Sequence, residues 1–253
     1  MKKEISKVSV VTVCYNSEKT IEDTILSVVN QDYPNIEYVI IDGGSIDGTI
    51  NVIKKYESKI TQWISEKDSG IFNAMNKGIM MSTGDWIIFM NSGDAFTNSD
   101  TLSKLEYLLL NNDIGLIFSS CVLKYGKVRR LIEPRPFFTQ NGKYRTMGFS
   151  HQSCLIRTRY IKKKGFDEKY NLCADYKMIW DLYYIERIKF IESKYPISEM
   201  DEGDGETVRS YFNHLEEECE VCGFPKSILR DFFVNTKYIE YRFKRIMKHI
   251  LFQ

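Results

Sequence analysis

Asp85-Trp86-Ile87-Ile88-Phe89-Met90-Asn91-Ser92-Gly93-Asp94 is the stretch that decides the fold. Trp86 to Met90 is apolar without a break, the length and look of a strand buried on both faces. Asn91, Ser92, Gly93 and Asp94 then offer a turn and several oxygens. In an open α/β sheet, ligands bind beyond the carboxyl ends of the strands. A carboxylate there suits a hard divalent cation next to a phosphate. Taken alone, the same residues read equally well as a strand, an ordinary Asn-Ser-Gly turn and a solvated Asp.

Working outward, the upstream residues repeat the pattern. Val8 to Val13 is a β-branched run that reads as a buried strand. Cys14 to Ser17 is a turn with capping residues, and Ile21, Ile25, Val28 and Val29 give helical spacing from about Thr20 to Asn30. Ile36 to Ile41 is a second strand. The loop Asp42 to Thr49 and a helix to about Tyr56 follow it. Ile60 to Ser65 reads as a third strand, Glu66 to Gly70 as a turn, and Ile71 to Met81 as a helix. Successive strand-loop-helix units argue for a parallel sheet with right-handed crossovers. The four strand ends carry Asn16, Asp42, Asp68 and Asp94, all facing one sheet edge. That convergence favours a binding site over isolated turns.

Downstream the pattern changes. Ser99 to Asn112 reads as one helix, and Ile114 to Leu123 with Lys127 to Ile132 as a hairpin around Tyr125-Gly126. Glu133 to Gly148 is long enough to form a substrate wall. Phe149 to Arg157 returns as a strand carrying His151 and Gln152, and Tyr160 to Tyr170 holds a turn. Ala174 to Glu186 is a helix with Asp175 in its first turn, where the helix dipole favours a carboxylate. Asp175 reads equally as a plain cap-region acid. Lys189 to Ile191 and Tyr195 to Ser198 read as short strands, and Glu199 to Gly205 as an acidic loop. From Glu206 the chain reads helical, interrupted at Gly223-Phe224-Pro225. In the last helix Ile239, Phe243, Ile246 and Ile250 form a stripe opposite Lys237, Lys244, Arg245 and Lys248. Such a helix lies in a membrane interface, or packs on its domain with a solvated basic face.

Composition narrows the classes. The 253 residues are 43% hydrophobic and 27% charged, as in a globular protein with a sizeable core. A net charge of +1 points to no nucleic-acid partner. No run approaches the roughly 20 apolar residues of a membrane span. The polar start is expected to carry no signal peptide, and the six scattered Cys read as reduced thiols of a cytosolic protein.

Val8-Ser-Val-Val-Thr-Val-Cys-Tyr-Asn16, Ile41-Asp-Gly-Gly-Ser-Ile-Asp-Gly-Thr49, Ser65-Glu-Lys-Asp-Ser-Gly-Ile-Phe-Asn-Ala-Met-Asn-Lys-Gly78 and Phe89-Met-Asn-Ser-Gly-Asp94 occur in that order. Together they resemble the inverting family 2 glycosyltransferases of the GT-A fold, in particular bacterial members that build O-antigens, capsules or exopolysaccharides. The resemblance implies an α/β GT-A fold: a mainly parallel twisted sheet flanked by helices, with a C-terminal helical extension. It divides the chain into a catalytic domain, 1–205, and an extension, 206–253. Within the domain, 1–112 would bind the nucleotide-sugar and 113–205 the acceptor.

The resemblance also implies roles. Thr12, Tyr15 and Asn16 would line the nucleotide pocket. Asp42 would contact the uracil or ribose edge, and Asp68 would lie near nucleotide and donor sugar. The family's Asp-x-Asp signature falls on Asn91 to Asp94, where this chain has Asn91, Ser92 and Gly93 before its single carboxylate. Asp94 would then bind the Mn²⁺ or Mg²⁺ that bridges the donor diphosphate. Asp175 would be the general base, with His151 and Gln152 near acceptor or diphosphate. An inverting transfer needs a base within about 3 Å of the acceptor hydroxyl and a cation to offset charge on the leaving diphosphate.

The expected activity is transfer of a hexosyl or N-acetylhexosaminyl group from a UDP-sugar to a lipid-linked saccharide. The expected place is the cytoplasm, at the inner face of the membrane. Two alternatives remain. A sugar nucleotidyltransferase would carry a Gly-rich basic loop after the first strand, where this chain has Cys14-Tyr15-Asn16-Ser17. A degenerate nucleotide- or carbohydrate-binding module would explain the missing acids at Asn91 and Gly93.

Overall fold

The computed structural model describes residues 5–126, 128–135, 138–140, 144–201 and 210–251. Parts of the expected 133–148 wall, residues 202–205 of the acidic loop and the helix start at 206–209 lie outside them. The same holds for the side chains of Arg245, Ile246, Lys248 and Ile250 in the expected stripe.

Apolar runs of alternating orientation build one mixed nine-stranded sheet. Its first half is the parallel set β3 (Gln62–Ser65), β2 (Ile36–Asp42), β1 (Val8–Cys14) and β4 (Trp86–Phe89), in that spatial order. All seven residues of β1 and all four of β4 are buried, as expected for central strands covered on both faces. One parity of β1, Val11 and Val13, packs with α3 (Ile71–Met81). The other, Val8 and Val10, packs with α1 (Ile21–Val29) and α2 (Thr49–Lys55). The crossover helices therefore cover both faces, and the four carboxyl ends point the same way.

The second half is mixed. Among its elements are β5 (Ala95–Phe96), β6 (Ile114–Tyr125), β7 (Val128–Ile132) and the separate pair β8 (Phe138–Gln140) and β9 (Tyr144–Thr146). β10 (Cys154–Arg157) runs antiparallel between β4 and β6, which joins the two halves into one sheet. β11 (Lys189–Asp201) runs parallel to β6.

Several local expectations change. The helix expected over Ser99 to Asn112 is two four-residue pieces, α4 (Thr101–Lys104) and α5 (Glu106–Leu109). The break at Leu105 lets Leu102, Leu105 and Leu109 all reach the core, each 0% exposed. α6 (Thr158–Lys164) occupies a stretch expected only to turn. The two strands expected between Lys189 and Ser198 are one strand that also takes in Glu199 to Asp201. Its register shifts between Ser193 and Ser198, around Pro196, which lacks the N–H a ladder needs. His151 and Gln152 lie in a 3₁₀ turn, His151–Ser153, rather than in the strand that follows.

The C-terminal pair α8 (Tyr211–Val221) and α9 (Ile228–Leu251) shares a small core of Leu215, Cys219 and Val234. Glu217 of α8 accepts hydrogen bonds from the backbone N–H groups of Asn171, Leu172 and Cys173 (3.1, 2.9 and 2.9 Å). It thereby fixes the entry to α7 (Ala174–Tyr184), the helix that carries Asp175.

Candidate active site

The loop after β1 presents Tyr15, which is 61% exposed, and Asn16, held at φ 47°. Asn16 accepts from the Ile46 N–H through Oδ1 (2.9 Å), and its own N–H donates to Ser45 Oγ (2.8 Å). Those bonds bind the first loop to the second. Tyr15 is left as an open aromatic face at the site's rim. Thr12 does not line this rim. It is fully buried, and its hydroxyl donates to the Met90 carbonyl (2.8 Å) between neighbouring strands.

Asp42, expected at the uracil or ribose edge, is enclosed as well. It is 0% exposed and already accepts from the N–H groups of Gly44 and Ser45 and from the hydroxyls of Ser45 and Ser65. A carboxylate so enclosed shapes the 43–48 loop. Asp68 is the acid that reaches the rim. It accepts from the Gly70 N–H (3.1 Å), and its Oδ2 lies 2.5 Å from where a side chain on Gly43 would begin. Gly43 is therefore a close approach: the second loop rests on the third only because it has no Cβ.

The turn after β4 is pinned onto α1. Thr24 Oγ1 donates to the Asp94 carbonyl (2.8 Å) and accepts from the Gly93 N–H (3.0 Å). Ser92 Oγ bonds with Thr20 Oγ1 (2.9 Å). Gly93 has φ 99°, a backbone state that other residues rarely adopt. The turn that carries the side chains of Asn91 and Asp94 is thereby fixed. Asn91 Oδ1 is buried without a hydrogen-bond partner. Burial pushes the Asp94 carboxyl up to about 7, against the pull of His151, the Gln152 side chain and the Asn91 backbone. Thr24 was the readable sign of this arrangement, a polar residue on the apolar face of α1.

The 3₁₀ turn joins the two halves of the site. Gln152 hydrogen-bonds Asp94, and His151 Nδ1 meets Asp175 Oδ2 at 2.7 Å. His151 and Asp175 are 17% and 14% exposed. Burial opposes charge on both, but their mutual attraction outweighs it. His151 is held above its ordinary value and Asp175 below, each partner favouring the charged form of the other. Asp175 also receives the Tyr176 N–H and the field of His214 on α8. His151 Nε2 is buried and unpartnered. His214 and Glu217, which support Asp175 from α8, carry no local sequence signal.

The oxygen donors suit a hard cation: one carboxylate under-charged by burial and one amide oxygen without a partner, in the same turn. Among the described residues no cluster of three or more His, Cys, Asp or Glu could hold a metal by itself. Asp94 and Asn91 would therefore hold a cation together with the oxygens of a bound diphosphate.

Comparison with known proteins agrees with this geometry. Residues 9–172 match the model of glycosyl transferase family 2. The uncharacterized glycosyltransferase Rv1514c of Mycobacterium tuberculosis is 29% identical over 175 residues, covering 68% of this chain and 67% of the relative. TuaG of Bacillus subtilis, assigned to teichuronic acid biosynthesis, is 36% identical over 106 residues, 40% of this chain and 42% of TuaG. Staphylococcus aureus TarS, solved with UDP-GlcNAc, superimposes with a TM-score of 0.65 at 20% identity, over 84% of this chain and 65% of that one. The mannosyltransferase PcManGT of Pyrobaculum calidifontis, solved with GDP-Man and Mn²⁺, gives 0.62 at 18%, over 84% and 60%. This chain thus spans less than two thirds of either solved chain, and the likeness is one of fold, the GT-A type. With the matched motifs spanning every strand end described above, the chain belongs to glycosyl transferase family 2.

Proposed function

We propose that the chain transfers a sugar with inversion from a UDP-sugar to a hydroxyl of a growing, lipid-linked bacterial surface polysaccharide. The observation that carries this reading is the pairing of Asp94 and Asp175 through one turn. Gln152 bonds the first and His151 the second, so a diphosphate-facing acid and a separate ionised base share one cleft edge. A binding module has no need of the second acid.

In this reading Tyr15 and Asp68 receive the nucleoside and donor sugar, and Asn16, Ser92 and Gly93 shape their walls. Asp94, with Asn91, would hold Mn²⁺ or Mg²⁺, which when bound offsets charge developing on the leaving diphosphate. Asp175 accepts the proton of the attacking hydroxyl. His151 keeps that carboxylate ionised and directs Nε2–H toward an oxygen of the diphosphate or acceptor. The relatives bear on this: TuaG points to a surface polysaccharide, and the two solved structures to nucleotide-sugars and Mn²⁺.

The lipid-linked acceptor places the enzyme at a membrane, and α9 supports that location. Ile228, Leu229, Phe232, Ile239 and Phe243 are between 63% and 87% exposed. Lys237, Arg242 and Lys244 lie on the same helix. An exposed apolar stripe beside cations suits an anionic interface better than a helix packed on its domain. No described helix is long and apolar enough to cross a membrane.

The test is a transfer assay with UDP-sugars, Mn²⁺ and a panel of lipid-linked saccharides. The expected result is metal-dependent nucleotide release coupled to an elongated saccharide. Donor binding without release or transfer over the whole panel would leave only the binding-module reading. Deleting residues 238–253 should weaken sedimentation with anionic liposomes, and unchanged sedimentation would refute the membrane role of α9.

A further inference from the structure

Beside the acid cluster, the β6–β7 hairpin and β11 border an open cavity of about 590 Å³. Small-molecule sites span about 300–1,000 Å³. Strand alternation places most of the strand residues that line it, Leu131 being the exception. Cys121 pairs with Ile132 and Leu123 with Arg130 across the hairpin, and Met200 pairs with Leu123 on the other side. All five line the cavity. Lys124 and Arg129 face the opposite way, where both pair with Glu199 (2.7 Å for Lys124).

The hairpin's cations are thus sorted by face. The outer ones are neutralised. On the cavity side, Arg130 and Arg135 make no ion pair among the described residues. Glu133 also lines the cavity and pairs with neither guanidinium among those residues.

The cavity is joined to the candidate active site. The Arg135 N–H donates to the Gly148 carbonyl (2.7 Å), which fixes Arg135 to the segment that runs on to Ser150 and His151. Ser150, the neighbour of His151 in the chain, also lines the cavity. An acceptor seated there would place a hydroxyl near Asp175 and its far side against the arginines.

We propose that this cavity binds an acidic group on the acceptor: a saccharide that carries a carboxylate or phosphate close to the hydroxyl being glycosylated. Cys121, Ile132 and Met200 give the apolar wall that a sugar's C–H face packs against. Guanidinium groups match carboxylate and phosphate oxygens with paired N–H donors. The inference rests on the sugar-transfer reading above and adds the acceptor's chemical class.

The test uses three probes that differ only at C6: p-nitrophenyl glucoside, p-nitrophenyl glucuronide and p-nitrophenyl glucoside 6-phosphate. Their affinities for the full chain are measured by NMR titration in the presence of UDP and Mn²⁺. UDP affinity is measured separately. At least one anionic probe should bind about tenfold tighter than the neutral one. That preference should shrink with salt and vanish in the Arg130→Gln/Arg135→Gln double variant, while UDP affinity stays unchanged. The better of the two anionic probes distinguishes a uronate from a phosphorylated acceptor. Equal affinities for all three probes, no detectable binding of any, or a preference that survives in the double variant would overturn the proposal. UDP binding without an anionic preference sinks this inference alone. An arginine-dependent preference without UDP binding keeps the anion site and sinks the transfer reading.

Discussion

Two acids of the same parallel sheet, Glu37 near the amino ends and Asp94 at the carboxyl ends, are treated in opposite ways. At the amino ends Glu37 is 3% exposed. It accepts from Lys7 Nζ (2.7 Å), Ser9 Oγ (2.5 Å), and the N–H and Oγ1 of Thr83 (2.6 Å each). Burial alone would raise its carboxyl, but these donors hold it down to about 2. At the carboxyl ends Asp94 is pushed up to about 7, while Asn91 Oδ1 and His151 Nε2 lie buried without partners. Glu37 is electrostatically complete, and so is Asp42 at the carboxyl ends; Asp94 is not. A buried acid is therefore no mark of function; a buried acid lacking its compensating charge is.

The contrast can be broken most severely at Asp175. Asp175→Asn should reduce transfer by about 10²–10⁴-fold, while calorimetry finds donor affinity nearly unchanged. Near-normal turnover in that variant would remove Asp175 as the base.

Asp94→Asn should separate stability from function. A carboxyl raised by burial costs stability at every pH above its unfolded value of about 4. The variant should therefore melt a few degrees higher at pH 8 without metal, and lose Mn²⁺-supported donor binding. A lower melting point would show that Asp94 is structurally satisfied, like Glu37.

Glu37→Gln should do the reverse, costing about 1–3 kcal/mol by urea unfolding while leaving activity per folded molecule intact. Its carboxyl is depressed in the folded state. The contribution is thus full above the ordinary value of 4.5 and lost as pH falls toward about 2. Wild type should accordingly lose stability over that acid window, and Glu37→Gln should lose less.

The smallest effect is the pH profile of the wild type. Mn²⁺-dependent donor binding should strengthen as pH rises through about 7, because Asp94 must ionise to meet the cation. The His151–Asp175 pair contributes fully below the ordinary histidine value. That contribution fades as pH rises through the higher folded value of His151, so stability should decline on the alkaline side. A flat profile between pH 6 and 8 would contradict the raised Asp94.

The parallel half of the fold was legible because its strands, turns and crossover helices each follow from neighbouring residues. Apolar runs fixed the strands, helical spacing fixed α1 and α3, and the convergence of Asp68 and Asp94 followed from parallel order alone. The second half was less legible. Its strands reach the sheet through long-range pairing: β10 inserts between β4 and β6, and β11 bends through a bulge at Pro196. Neither partner is visible from within the strand.

The amino-acid sequence by itself determined the family, the strand-end acids and the place of Asp175 at a helix start. Only the tertiary structure decided which acids are free. It sealed Asp42 and Thr12 inside hydrogen-bonded surroundings, left Asp94 under-compensated, and paired Asp175 with His151. The reason is physical. An acid's chemistry depends on the solvent it loses and the donors it gains, and both are supplied by residues far away in the chain.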